Sequence, residues 1–315
     1  MTVALPLVTG LRRAARLPGL ALLLWLVNLL FAAIVVAPFW LRLTGVLAGA
    51  PGGDRLLEGF SFGLFADLAR EYGGLLGPLV LGVLPLCGVM LLVNALTAGG
   101  VLEVLIGGRP GGWLERFGAG ALRLFGRFLR VEALAGVVMA IAAGAILGVT
   151  AAAMRSVAES EWEPATLVGW LAGLAVAGLA VVVVLLALDL ARVRIVRDDR
   201  RRVMRSLFGS LWLVIRHPVA TVGLWLAVAA LFGVVLALYL GLRSVLPATS
   251  WGGIVAMVVV QQAVVLARAG LRVGLFAAEV ELVERFLPPA PVAPPEPFVD
   301  EPPLELGAPE LPLAE

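Results

Sequence analysis

Lysine is absent from this chain, and all 24 of its basic residues are arginine. An arginine-only set of cations is an ordinary mark of a GC-rich genome and carries no chemistry by itself. Cysteine occurs once, as Cys87 inside an apolar run, which excludes an internal disulfide and a paired-cysteine metal site. Histidine also occurs once, as His217 between Arg216 and Pro218. Such a residue could sense pH, but at that position it reads as a helix-start or head-group contact. These scarcities remove most zinc, haem and Cys/His catalytic schemes. The chain has no Walker lysine, no HExxH, no GxSxG and no pair of carboxylates within an apolar run. We therefore expect no cofactor, no metal and no catalytic activity. Charge itself is scarce, at 15% of residues against about a quarter in a soluble domain. With a net charge of only +2, the pI of 9.3 does not indicate nucleic-acid binding.

What replaces charge is apolar surface. Hydrophobic residues make up 61% of the chain and the mean hydropathy is +1.02, more than a compact water-soluble fold can hide. Six apolar segments, at about 18–41, 75–98, 132–154, 165–190, 218–241 and 252–275, are long enough to cross a membrane, which takes roughly 20 residues each. The first follows Arg12, Arg13 and Arg16 and precedes a small-residue stretch, Ala48-Gly49-Ala50, in the manner of a signal peptide. Its length exceeds the ~7–15 residues of a signal core, so we read it as a retained span. The expected fold is all-α: a polytopic bundle of six transmembrane helices over residues 1–287, followed by a tail.

Arginine orients the spans. Arg12, Arg13 and Arg16 precede the first; Arg109, Arg116, Arg123, Arg127 and Arg130 separate the second from the third; eight arginines from Arg192 to Arg216 separate the fourth from the fifth. The alternate connections are Arg-poor, and one carries Glu159, Glu161 and Glu163. The positive-inside rule places both termini and both Arg-rich connections in the cytoplasm.

Those connections have helical periodicity. From Trp113 to Arg130, Arg116, Arg123, Arg127 and Arg130 share one sector, while Leu114, Phe117, Ala121, Leu124, Phe125 and Phe128 lie opposite. This predicts an amphipathic helix at the membrane interface, apolar face in the acyl boundary and arginines at the head groups. Val203, Leu207, Leu211, Val214 and Ile215 repeat the pattern, and Leu57, Phe60, Leu64, Leu68 and Tyr72 form a third stripe beside Asp67, Arg70 and Glu71. Arg116, Arg123, Arg127, Arg130, Arg201 and Arg205 are thus candidate head-group contacts, with a preference for anionic lipid of about 1 kcal/mol per residue. Arg16-Leu17-Pro18, Arg130-Val131-Glu132 and Arg216-His217-Pro218 each open an odd-numbered span, so three tandem hairpins, each launched from a basic segment, are one reading. Positive-inside bias alone is the other.

Polar groups within the spans are few. Asn28, Asn94, Gln261 and Gln262 lie at mid-span and form a candidate intramembrane polar site, either as helix–helix contacts or lining a substrate cavity. Neighbouring side chains diverge by about 100° on a helix, so only one glutamine can face a given cavity. Asp189, Arg192, Arg268 and Arg272 lie near inner helix ends and are candidate ion pairs. Ala140, Gly144 and Gly148, and Gly169 and Gly173, have the spacing of close helix packing, and Pro78 and Pro85 are potential kinks. Asp54, Glu58, Asp67 and Glu71 read as solvated faces. Residues 288–315 hold ten prolines, six acids and no base, the composition of an extended disordered tail that could dock on a protein partner.

The stretch from Leu188 to Val222, where a span ends in Asp189-Leu190-Ala191-Arg192, a charged connection follows and Arg216-His217-Pro218 opens the next span, resembles a broad group of bacterial six-helix membrane proteins. That group includes the membrane domain attached to some glycerophosphodiester phosphodiesterases. The resemblance covers about residues 10–287 and implies a bacterial inner-membrane location. The phosphodiesterase catalytic domain has no counterpart here. The resulting expectation is a non-enzymatic multi-pass inner-membrane protein that associates with anionic lipids or with membrane partners, as an organiser or scaffold; a transporter or permease for a small or amphiphilic substrate is the alternative.

Overall fold

The computed structural model describes residues 4–47, 73–107, 110–158, 163–199, 202–246 and 250–287, with backbone alone at 35, 38–47, 73–85, 87, 156–158 and 163–164. The Leu57–Tyr72 stripe, the carboxylates Asp54, Glu58, Asp67 and Glu71, Arg201 and the 288–315 tail lie outside the described residues.

The described residues form helices and no strands: α1 (Ala4–Ala15), α2 (Pro18–Leu47), α3 (Gly73–Ile106), α4 (Trp113–Ala158), α5 (Glu163–Arg197), α6 (Val203–Arg216), α7 (Pro218–Val245) and α8 (Trp251–Phe286). Among them five are long and apolar enough to cross a membrane, and the bent pair α1 and α2 raises the number to as many as six. Helices of this length and composition are compatible with a membrane protein.

Helix boundaries follow local chemistry. Proline lacks an N–H and is tolerated in the first turn, so Pro18 opens α2 after an 80° bend and Pro218 opens α7 after His217. Gly111, at φ 121°, makes the turn before α4 in a conformation that favours glycine. The Ser250 hydroxyl accepts the Gly253 N–H at 3.1 Å and caps α8. The segment around Arg130 has no such breaker. Trp113–Arg130 is therefore not a separate interfacial helix: α4 runs unbroken for 46 residues, about 69 Å. Its expected membrane-facing side packs on protein, with Ala121, Leu124 and Phe128 buried and Phe117 against Gly100 of α3. α3 likewise continues through Pro78 and Pro85.

Packing is unequal along the bundle. Buried residues occupy the start of α2 (Leu20, Leu24), the end of α3 (Ala95–Leu105), the first half of α4 (Ala121–Ala135), the end of α5 (Val184–Ile195), the start of α7 (Leu224, Val228) and the second half of α8 (Ala269–Val283). Because successive long helices alternate in direction, these stretches share one end, the closed end. At the other, open end, large apolar side chains such as Ile141, Val149, Leu179, Leu238 and Val259 are exposed.

Helix ends at the closed end are tied by arginine. Arg13 donates to the Leu105 carbonyl near the end of α3. Arg197 donates to the carbonyls of Val283 at 3.2 Å and Leu287 at 2.6 Å, at the end of α8. A cation at a helix C-terminus meets unpaired carbonyls and the negative end of the dipole. The ring of His217 stacks on Phe286, centroids 4.3 Å apart, joining the α6–α7 break to the same end of α8.

Candidate functional site

A cavity of about 590 Å³ lies among α2, α3, α7 and α8, between the closed and open ends. Leu24, Val101, Trp225, Phe232 and Leu275 contribute to a largely apolar wall, and Asn28, Asn94, Thr97, Gln262, Arg268 and Arg272 supply its polar groups. No carboxylate lines it among the described residues. Asn28, Leu29 and Met90 on its wall are exposed, so the cavity is accessible on the α2–α3 flank as far as the described residues extend.

Three of the four mid-span amides therefore meet at one site. Gln262 accepts the Trp25 indole N–H at 3.0 Å, which occupies its carbonyl and leaves its amino group to donate. Gln261 points elsewhere and donates to the Tyr239 hydroxyl at 3.2 Å, a contact between α8 and α7. Thr97 spends its proton on carbonyls of its own helix, those of Val93 and Asn94.

Beneath the cavity lies a buried ionic network. Arg272 is bidentate on Asp189, at 2.9 and 3.0 Å, and its guanidinium stands 4.3 Å over the Phe276 ring. Arg192 donates to Asp189 at 2.6 Å and, on its other side, to Glu132 of α4. Arg192 is only 1% exposed. Desolvating such ions is costly, and planar two-sided pairing is what makes it tolerable. Glu279 is buried alongside, in electrostatic reach of Asp189, Arg272 and Arg192, and its Oε2 accepts no hydrogen bond. The network joins α4, α5 and α8 below the point where Arg272 enters the cavity wall.

The four expected ion-pair residues thus divide. Asp189, Arg192 and Arg272 are joined; Arg268, one turn nearer the open end, makes no ion pair among the described residues and lines the cavity. The sequence reading missed Glu132, which it placed at a helix start, together with Glu279 and Glu103. The spacing of Asp189 and Arg192 (i, i+3) and of Arg272 and Glu279 (i, i+7) puts each pair on one helix face, which was the available signal.

The candidate head-group arginines are partly engaged within the protein. Arg123 pairs with the buried Glu103 at 2.6 Å, Arg127 with Asp199 at 2.5 Å, and Arg116 donates to the Gly107 carbonyl at 3.5 Å. Arg130 and Arg205 are exposed. On α6, Ser206, Leu207, Ser210, Leu213 and Val214 are buried, whereas Met204, Phe208, Trp212 and Ile215 form an exposed apolar stripe. The four-residue glycine patterns also divide. Gly169 and Gly173 receive Met154 and Thr150 of α4, while the space beside Gly144 and Gly148 is open.

Among the described residues no group of three or more histidine, cysteine or carboxylate side chains is placed to hold a metal. Comparison with protein-family models, curated proteins and solved structures finds no match for this chain.

Proposed function

We propose that this protein is a six-span inner-membrane protein that holds an amphiphilic molecule of the bilayer in the cavity among α2, α3, α7 and α8, without catalysing a reaction on it. The observation that carries this reading is the cavity wall: apolar over most of its area, with the amides of Asn28, Asn94 and Gln262 and the guanidinium of Arg268 facing one space. Small-molecule sites are built as apolar walls with a few fixed polar points, and a wall this apolar suits a ligand that is itself mostly hydrocarbon. Exposed leucine, isoleucine and valine around the open end supply the lipid-solvated surface. Arginine asymmetry supports a cytoplasmic closed end with both termini on that side. The pattern resemblance of Leu188–Val222 to bacterial six-helix membrane proteins supports the same location.

Transport of such a molecule is the second reading. It is favoured by the extent of the cavity along α8, from Gln262 to Phe276, about 21 Å. Holding and transport share one test of the site. The protein purified in mild detergent should retain a bound amphiphile that mass spectrometry detects after denaturation. Ala229→Trp, which fills the cavity from α7, should abolish retention without unfolding the bundle. A wild-type protein that emerges empty under conditions preserving its fold would overturn the reading; movement of the retained molecule between leaflets of vesicles would select transport.

A further inference from the structure

We infer that the occupant is an anionic glycerophospholipid of the inner leaflet, with its phosphate at Arg268 and its ester linkage at the amides of Asn28, Asn94 and Gln262. This rests on the cavity reading above and assigns its ligand. The first observation is that Arg268 has no ionic partner. Arg272 and Arg192 are both spent on Asp189, whose Oδ1 accepts from each of them and whose Oδ2 accepts from Arg272. These two guanidiniums supply the side-chain hydrogen bonds of Asp189 among the described residues, and Arg268 makes none to it. No carboxylate lines the cavity among the described residues, so Arg268, which is exposed on its wall, adds an uncompensated positive charge there. Charge complementarity makes an anion the partner that fits it.

Depth decides which anion. Trp251 begins α8 at the open end, and Arg268 follows seventeen positions later, about 26 Å along the axis. Against a hydrocarbon core of about 30 Å, that is the level at which inner-leaflet head groups meet their acyl chains. Gln262 lies six positions back toward the open end, about 9 Å deeper in the bilayer. Its amino group is free to donate because Trp25 occupies its carbonyl. The side-chain amides of Asn28 and Asn94 have no partner among the described residues and line the same space. A glycerophospholipid presents features in this order: a phosphate, then ester carbonyls that only accept hydrogen bonds, then hydrocarbon. Leu29, Met90 and Phe232 supply apolar wall for the chains. A free inorganic phosphate would satisfy Arg268 but leave the amides and the apolar wall unused.

The experiment uses the full chain in nanodiscs of phosphatidylcholine containing a minority of phosphatidylglycerol. Native mass spectrometry of the protein released from them measures which lipid it retains. The wild type should retain phosphatidylglycerol well above its share of the bilayer. Arg268→Gln should reduce that enrichment about tenfold, the scale of one charge-assisted hydrogen bond, and Arg268→Lys should restore much of it. Arg243→Gln, at an exposed arginine outside the cavity and near the open end, should leave it unchanged. Added inorganic phosphate should not displace the lipid. Retention of both lipids in bulk proportion would overturn the anionic assignment while leaving an amphiphile cavity standing. Enrichment that survives Arg268→Gln but is lost in Arg130→Gln, at an exposed arginine outside the cavity, would move the preference to the protein surface and overturn the site. Displacement by phosphate would make this a small-anion site. An empty wild type would instead remove the cavity reading itself. Thermal unfolding of each variant identifies any that fail to fold, and the lysine variant then carries the comparison.

Discussion

The two ends of this bundle obey different packing rules. At the closed end a methyl group added at Gly10, Gly100 or Gly120 would run into Ala278, Phe117 or Glu103. Towards the open end, one added at Gly144, Gly148, Gly233 or Gly241 would meet nothing within 4 Å, and close contact there is confined, among the described glycines, to Gly169 and Gly173, which face Met154 and Thr150 across the α4–α5 pair. The closed end packs like a water-soluble core: apolar side chains interlock, charges pair, and helix termini are capped by arginine. The open end leaves its apolar side chains outside, because lipid solvates them as well as protein would and helix backbones satisfy themselves. One continuous set of helices therefore serves two solvents, and the cavity sits where one regime gives way to the other.

Substitutions can probe this division directly. The largest effect should come from Arg192→Ala, which leaves Glu132 without its partner and Asp189 with one guanidinium fewer. Removing one member of such a buried pair costs about 3–5 kcal/mol, read as loss of stability in denaturant titrations of the detergent-solubilised protein. Replacing Glu132 and Arg192 together by methionine should recover much of that loss; if the double variant were as unstable as the single, the network would matter for more than charge balance. Next, Ile141→Asp at the open end should leave packing intact but cost about 2.5–3.5 kcal/mol of membrane insertion, visible as protein lost from the alkali-resistant membrane fraction. Full integration would show that Ile141 does not face lipid. Gly120→Ala should destabilise by about 1–3 kcal/mol through overpacking, whereas Gly144→Ala, in open space within a helix, should be neutral to stabilising by up to about 1 kcal/mol. Equal effects of the two would erase the distinction between the ends. Smallest of all, Arg127→Gln breaks a pair whose Asp199 side chain is 66% exposed, and should cost no more than about 1 kcal/mol, less at high salt.

Much of the helical layout was legible because hydropathy reports length and proline reports breaks. Pro18 and Pro218 mark real helix starts. Glu132 was misplaced for a physical reason: the change from arginine-rich to apolar sequence near Arg130 is a change of solvent, and a helix backbone crosses it freely where no proline or glycine intervenes. Of the three basic-to-apolar junctions, two carry a break and the third does not. The arginines were legible as an asymmetry between alternate connections but not in their individual duties. Arg13 and Arg197 hold helix ends, Arg123 neutralises a buried glutamate, and no periodicity in their own helices names those partners. Arg268 and Arg272 share a face at one-turn spacing, yet only the second reaches Asp189; that difference depends on how α5 and α8 cross. Gln261 and Gln262 diverge as helical geometry requires, but the choice of Gln262 for the cavity waits on Trp25 of α2.

The unbroken course of α4 gives the molecule a mechanical element. Glu132, clasped by Arg192, lies nineteen positions from Trp113 and twenty-six from Ala158, so the helix is a beam gripped somewhat nearer its closed end. Its longer arm is about 39 Å. A tilt of about 5° at the grip would swing the far tip through about 3 Å by that arm length, and α5, which receives α4 side chains at Gly169 and Gly173, would be carried along with it. A small adjustment of one salt bridge would thereby be geared up into a displacement comparable to the width of a water molecule at the far tip of α4.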